Sequence, residues 1–254
     1  MKYLFSTVMI IALVVGHARS VRAQSEVTLV APGGIRAAIE QLTPGFERKT
    51  GHPVKATFGS GGGTKQQVVH GDPFDVPIVQ PPYQEVIDSG NVIASSATPL
   101  ASVAVGVAVR KGAPKPDIST PDAVKRMLLA AKSISYPDAT AGAAAGVSFN
   151  ETLSKLGIAD QMKPKIKLAQ GGAGAMSLVA KGEVDIGLTF LSEMNDPAID
   201  VVGPLPKAIS TPTTLVGFVS AHAKDPAAAK ALLDYLSSPE AAAVYKAQGM
   251  QPGR

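Results

Sequence analysis

The sequence predicts an α/β protein assembled from strand–helix–strand units. Short β-branched runs alternate along it with stretches of helical periodicity. The helical stretches have the length of crossovers between parallel strands. Several strand-to-helix junctions are crowded with Gly, Ala and Ser, at the place where helix N-termini and ligands meet in such sheets.

Residues 27–31 (VTLVA) read as a buried strand, broken by Pro32-Gly33-Gly34. From 35 to 50, Ile35, Ala38, Ile39, Leu42 and Phe46 share one helical face, while Pro44 predicts a kink or early end. Residues 53–58 form a second strand, and the glycine-rich 59–64 leads to a helix beginning at Lys65 and stopped by Gly71. A third strand at 76–79 carries Pro77, which suits a sheet edge or strand end. Residues 103–109 are strongly β-branched, and Thr120-Pro121 supplies an N-cap and first-turn proline for a helix to 132. A strand at 133–136, a helix at 148–156 ended by Gly157, a strand at 165–169, a helix at 174–181 and a strand at 184–190 follow. One last helical block, 226–248, turns Ala229, Leu232, Leu233, Leu236, Ala241 and Tyr245 inward. The alternation implies largely parallel sheets.

The N-terminus reads as a secretory signal. Lys2 precedes an apolar run from 3 to 15, and Val21-Arg22-Ala23 places small residues for cleavage before Gln24. A run that short and abruptly ended does not suit a membrane span, and no Cys follows it to carry a lipid. Removing Lys2, Arg19 and Arg22 from the 24 basic residues leaves 21 against 20 acidic ones, so the mature chain is nearly neutral. No cluster of Lys and Arg with interleaved aromatics marks a nucleic-acid footprint. The absence of Cys excludes disulfides, zinc-thiolate sites and a thiol nucleophile. No Gly-x-Ser-x-Gly elbow is present, and no His lies near carboxylates at metal-ligand spacing, so neither metal nor cofactor is expected.

The candidate site lies at four junctions: 31–35, 59–64, 139–148 and 170–175. Small residues there let a ligand approach the backbone, which suits an anion held by N–H and hydroxyl groups. Ser60, Thr64 and Ser148 are the hydroxyls best placed to donate, and Gly62 belongs to the same cradle. Thr64 precedes Lys65, so the loop lacks P-loop order. Lys65 either supplies a cation to the ligand or faces solvent. His70 sits at a helix end, where a surface histidine is the plain reading. Arg36 is assigned to solvent and Asp75, at a strand entrance, to structure.

Four blocks in order carry a resemblance: APGGIRAAIEQLTPGFERKTG, VKATFGSGGGTKQQVVHGDPFDVPIV, LVAKGEVDIGLTFLSE and ALLDYLSSPEAAAVYKAQGM. In them the chain resembles the molybdate-binding-protein-like branch of type II periplasmic solute-binding proteins. The resemblance implies two α/β lobes of mixed sheets flanked by helices, joined by two crossover strands acting as hinge. On this chain lobe one takes 24–102 and 207–254 and lobe two 103–206, with crossings near Ser102-Val103-Ala104 and Pro204-Leu205-Pro206. It also implies a periplasmic monomer that clamps a small anion and delivers it to an ABC-transporter membrane component, with no nucleic-acid partner.

Carried over one by one, the family's oxyanion positions fall at Gly34 and Gly61 for two serines, at Ala145 and Gly172 for two backbone donors, and at Phe190 for a tyrosine. Gly33 and Gly146 flank these positions. Three hydroxyls are therefore missing, and each unmade bond to a buried charge costs about 1–3 kcal/mol, which counts against molybdate or tungstate. The branch also contains periplasmic aconitate isomerases, which shift an allylic proton between the cis and trans acids. Gly33-Gly34-Ile35 and the run RKGAPKPDIS at 110–119 look similar to that subgroup. The isomerase alternative needs a base, for which Lys65 and His70 are the candidates.

Overall fold

The computed structural model describes residues 24–253; the signal peptide expected at 1–23 and the cleavage expected after Ala23 lie outside the described residues. The chain begins with β1 (Val27–Pro32), α1 (Arg36–Thr50), β2 (Val54–Gly59), α2 (Gly61–His70), β3 (Val76–Val79), α3 (Gln84–Asp88) and β4 (Thr98–Val103). Next come β5 (Val105–Arg110), α4 (Pro121–Ala130), β6 (Ile134–Pro137), α5 (Ala144–Lys155), α6 (Ala159–Met162), β7 (Ile166–Ala169), α7 (Gly171–Ala180), β8 (Ile186–Phe190) and β9 (Ile199–Pro204). It closes with β10 (Thr213–Gly217), α8 (Pro226–Leu236), α9 (Pro239–Ala247) and β11 (Met250–Pro252).

Two sheets result, ordered β11-β4-β10-β3-β1-β2 and β7-β6-β8-β5-β9, each flanked by helices. β1 pairs in parallel with β2 and β3, and β6 with β7 and β8; the remaining pairs are antiparallel. The sheets are thus mixed rather than largely parallel. The antiparallel strands β4, β5, β9 and β10 are those by which the chain passes between sheets, and a passing strand needs no crossover helix. Ala104 alone separates β4 from β5, and the return runs between Pro204 and Thr213.

Helix starts are the main departure from the sequence reading. α2, α5 and α7 begin at Gly61, Ala144 and Gly171, three to four residues before the expected 65, 148 and 174. Glycine in a helix costs about 1 kcal/mol relative to alanine, which is why these turns read as loops. At α2 the cost is offset locally: Ser60 Oγ accepts from Gly63 N–H at 3.1 Å, and Gly62 N–H donates to Gly142 O at 3.0 Å.

Prolines explain the other differences. α1 runs through exposed Pro44 to Thr50, because Leu42 before it and Gly45 and Phe46 after it are buried and hold both turns. Pro77 lies in a central strand, between β10 and β1, not at an edge. It lacks only a donor, and its carbonyl accepts from Phe218 N–H at 2.9 Å. The expected single helix at 226–248 is two, because Ser238 caps a new helix with Pro239 in its first turn. The apolar face was read correctly across that break: Ala229, Leu232, Leu233, Leu236, Ala241 and Tyr245 are all buried.

Candidate functional site

Six strands aim their carboxyl ends at one cleft. Its walls are residues 32–34 after β1, 59–61 after β2, Gln80 after β3, Pro137 and Asp138 at the end of β6, 170–172 after β7, and Phe190 and Glu193 at the end of β8, around about 350 Å³. The other contributors are Ala141 and residues 143–145, leading into α5. α1, α2, α5 and α7 all start here, α1 through a tight turn at Gly33–Ile35. The first N–H groups of a helix have no partner within it, so four sets of donors and four positive dipole ends converge. That arrangement selects negative charge.

The two lobes touch across the cleft. Ser192 Oγ donates to Gly34 O at 2.6 Å, and Gly62 N–H to Gly142 O at 3.0 Å. The glycines of the cradle make room for protein as well as for ligand. A methyl group on Gly34 would lie 2.9 Å from Phe190 Cδ2; one on Gly61 would overlap the Gln80 carboxamide; one on Gly172 would overlap the Glu193 carboxyl. Serine at 34 would therefore require the Phe190 ring to shift.

Of the residues singled out from sequence, Gly33, Gly34, Ser60, Gly61, Ala145, Gly172 and Phe190 line this cleft. Gly62, Lys65 and Ser148 line an adjoining cavity of about 420 Å³, which shares Gly61, Gln80 and Ala144 with the first. Ser60 is already engaged as the cap of α2. Thr64 is fully buried and lines neither cavity, so it is not placed as a ligand donor. Gly146 is a packing residue behind the cleft: a methyl group there would overlap Pro137 O and lie 2.9 Å from Ala139 N. His70 is exposed at the far end of α2, about 13 Å along the helix from its first turn, which removes it as a base. Arg36 lies over the Phe58 ring at 4.5 Å and pairs with Glu40 at 3.6 Å, on the solvent side.

Gly146→Ala is expected to lower stability by about 1–3 kcal/mol, since the neighbour it meets is backbone that cannot turn aside. Urea denaturation measures this; an unchanged midpoint contradicts the packing role.

The sequence reading missed Glu193 and Gln80. Glu193 is half-buried, and its Oε2 accepts from Thr189 Oγ1 at 2.5 Å. Burial pushes its pKa above the usual carboxylate value, outweighing hydrogen bonds from Thr189 and the Phe190 backbone that favour the charged form. Gln80 is 7% exposed and its Oε1 has no hydrogen-bond partner. Asp138 lines the same cleft but spends Oδ1 on Thr140 N–H and Oγ1–H, both at 2.8 Å. Among the described residues no Lys or Arg lines this first cavity. A signal for Glu193 existed: it ends the LVAKGEVDIGLTFLSE block, just past a strand's carboxyl end.

Two α/β lobes closing helix N-termini around a small cleft define a ligand clamp of the periplasmic binding type. The chain belongs to the bacterial extracellular solute-binding protein family, whose family model matches residues 27–251. It is 33% identical over 234 residues to an aconitate isomerase of Pseudomonas sp, covering 89% of this chain and 87% of that protein. It is 29% identical over 248 residues to the molybdate-binding protein ModA of Azotobacter vinelandii, covering 95% and 96%. The fold is similar to the periplasmic molybdate-binding protein structure from Azotobacter vinelandii, with a TM-score of 0.74 at 23% identity, over 89% of this chain and 98% of that one.

Proposed function

We propose that this chain is an exported, periplasmic clamp for a small organic carboxylate. Its lobes are 24–102 with 207–254, and 103–206, and the mature chain starts at Gln24. The observation that carries the reading is Glu193 inside the cradle, together with the missing hydroxyls at Gly34, Gly61 and Phe190. A compact dianion there meets carboxyl groups on Glu193 and Asp138. Two unit charges 4 Å apart repel by about 4 kcal/mol at an effective dielectric near 20, so molybdate and tungstate are disfavoured. A flat organic acid presents one carboxylate to the helix N-termini and carbon to Glu193. The protein acts as a monomer and hands its ligand to an ABC-transporter membrane component.

A second reading, an aconitate-isomerase-like enzyme, is favoured by the same glutamate and by the Pseudomonas relative. A carboxylate with raised proton affinity can take a proton from the methylene carbon beside a carboxylate. The double bond then shifts by one position, and the proton returns to the former vinylic carbon. Nothing else is consumed or released. Glu193 replaces His70 and Lys65 as the base in this scheme.

A thermal-shift screen against molybdate, tungstate, sulfate, phosphate, citrate, cis-aconitate and trans-aconitate tests both. An organic acid at one hundred times its Kd is expected to stabilise the fold by about 2.7 kcal/mol. A shift with molybdate or tungstate alone overturns the carboxylate assignment. Interconversion of the two aconitates, followed by proton NMR, decides for the enzyme over the carrier.

A further inference from the structure

The adjoining cavity has chemistry that the cradle lacks. Lys65 lines it, one turn into α2, and among the described residues this lysine makes no ion pair. Burial holds its pKa below the usual lysine value, against a weaker opposing pull from Glu85. Glu151 stands in the same cavity wall, as do Ser148 and Thr213. Gln80 belongs to both cavities, and its buried carboxamide oxygen is unpartnered. A carboxamide holds a donor and an acceptor, so rotation about its last bond presents Nε2 to a carboxylate oxygen.

We infer that this cavity is a second anion subsite, in which Lys65 and Gln80 receive a carboxylate remote from the one held by the cradle. The ligand is then elongated, with two or more carboxylates that reach from Gly33 and Gly172 past Gln80 to Lys65. The inference rests on the organic-carboxylate reading and adds a specificity device to it. The cradle alone does not discriminate by length, because every carboxylic acid offers it the same head. A partly buried cation without a partner does, because only an acid with a second charge at the right reach restores the solvation that Lys65 has lost.

Titration calorimetry with propane-1,2,3-tricarboxylate and with butyrate tests it on the full mature chain. Wild type is expected to bind the tricarboxylate at least tenfold tighter than butyrate. Lys65→Met is expected to erase that preference while leaving butyrate affinity unchanged, and Lys65→Arg to keep it. Gln80→Leu is expected to weaken the tricarboxylate more than butyrate, and Glu151→Gln to tighten the tricarboxylate. Equal affinity of wild type for both acids overturns the subsite and leaves the cradle standing. Binding of neither acid removes the carboxylate reading and the subsite together. If Lys65→Met weakens both acids alike, Lys65 holds the closed lobes rather than the ligand, and the subsite is rejected. Unliganded melting temperatures confirm that each variant is folded.

Discussion

Asp75→Ala is expected to lower the unfolding free energy by about 3–5 kcal/mol. Asp75 is 3% exposed and stands just before β3, where it collects three donors. Its Oδ2 accepts from Thr28 N–H at 2.8 Å and from Thr28 Oγ1–H at 2.6 Å, and Oδ1 accepts from Lys224 N–H at 2.7 Å. Its own backbone continues the network, with N–H donating to Thr28 O at 3.0 Å and its carbonyl accepting from Ser220 N–H at 2.9 Å. One side chain therefore ties β1, the entry to β3 and the segment after β10. Bonds to a carboxylate are worth roughly twice those between neutral groups, and truncation strands two backbone N–H groups. Asp75→Asn keeps the shape and loses the charge, and is expected to fall between wild type and alanine. Urea unfolding measures both variants. A loss under 1 kcal/mol for alanine refutes the tying role.

The contrast between Asp75 and Glu193 shows what the sequence exposes and what it hides. Asp75 was assignable to structure because its neighbours mark a strand entrance, which is local information. The four small-residue junctions were legible for the same reason: each is a composition signal a few residues long, and strand order brings them to one place. Partnerships across the lobes were not legible. Gly34 meets Phe190, and Gly62 meets Gly142, so each contact spans far more chain than a pattern can cover. The glycines of the cradle looked like approaches for a ligand, yet three of them also accommodate Phe190, Gln80 and Glu193. The early starts of α2, α5 and α7 escaped because glycine propensity is a local penalty, and at α2 part of what offsets it is a bond from Gly62 N–H to Gly142 O, far away in sequence. Pro77 in a central strand is the same lesson in a sheet: the expectation counted its missing donor but not the bond its carbonyl makes.

Under the isomerase reading, Glu193→Gln is expected to reduce aconitate turnover by about 10²–10⁴-fold, the usual worth of a positioned acid–base group, with ligand binding retained. Glutamine keeps the volume and an acceptor for Thr189 but cannot carry a proton back and forth. Binding of the organic acid should tighten in the variant at pH above the raised pKa of Glu193, where the substitution removes a negative charge from the cleft. The variant also reports on the carboxyl's environment without any ligand. Burial raises the folded-state pKa of Glu193 above its ordinary value of 4.5, so the native chain holds this proton more firmly than the unfolded one does. Its contribution to stability is complete below the ordinary value and is lost as pH rises through the raised one. Glu193→Gln removes that decline, so the stability difference between variant and wild type should shift in the variant's favour across this window and level off above it. Urea midpoints collected from pH 4 upward (with the same buffers for both proteins) give the comparison. Parallel pH profiles would place the carboxyl in ordinary solvation and withdraw it as the proton carrier. Lost turnover with parallel profiles would leave Glu193 as a positioning group, acting through Thr189 and the cradle backbone.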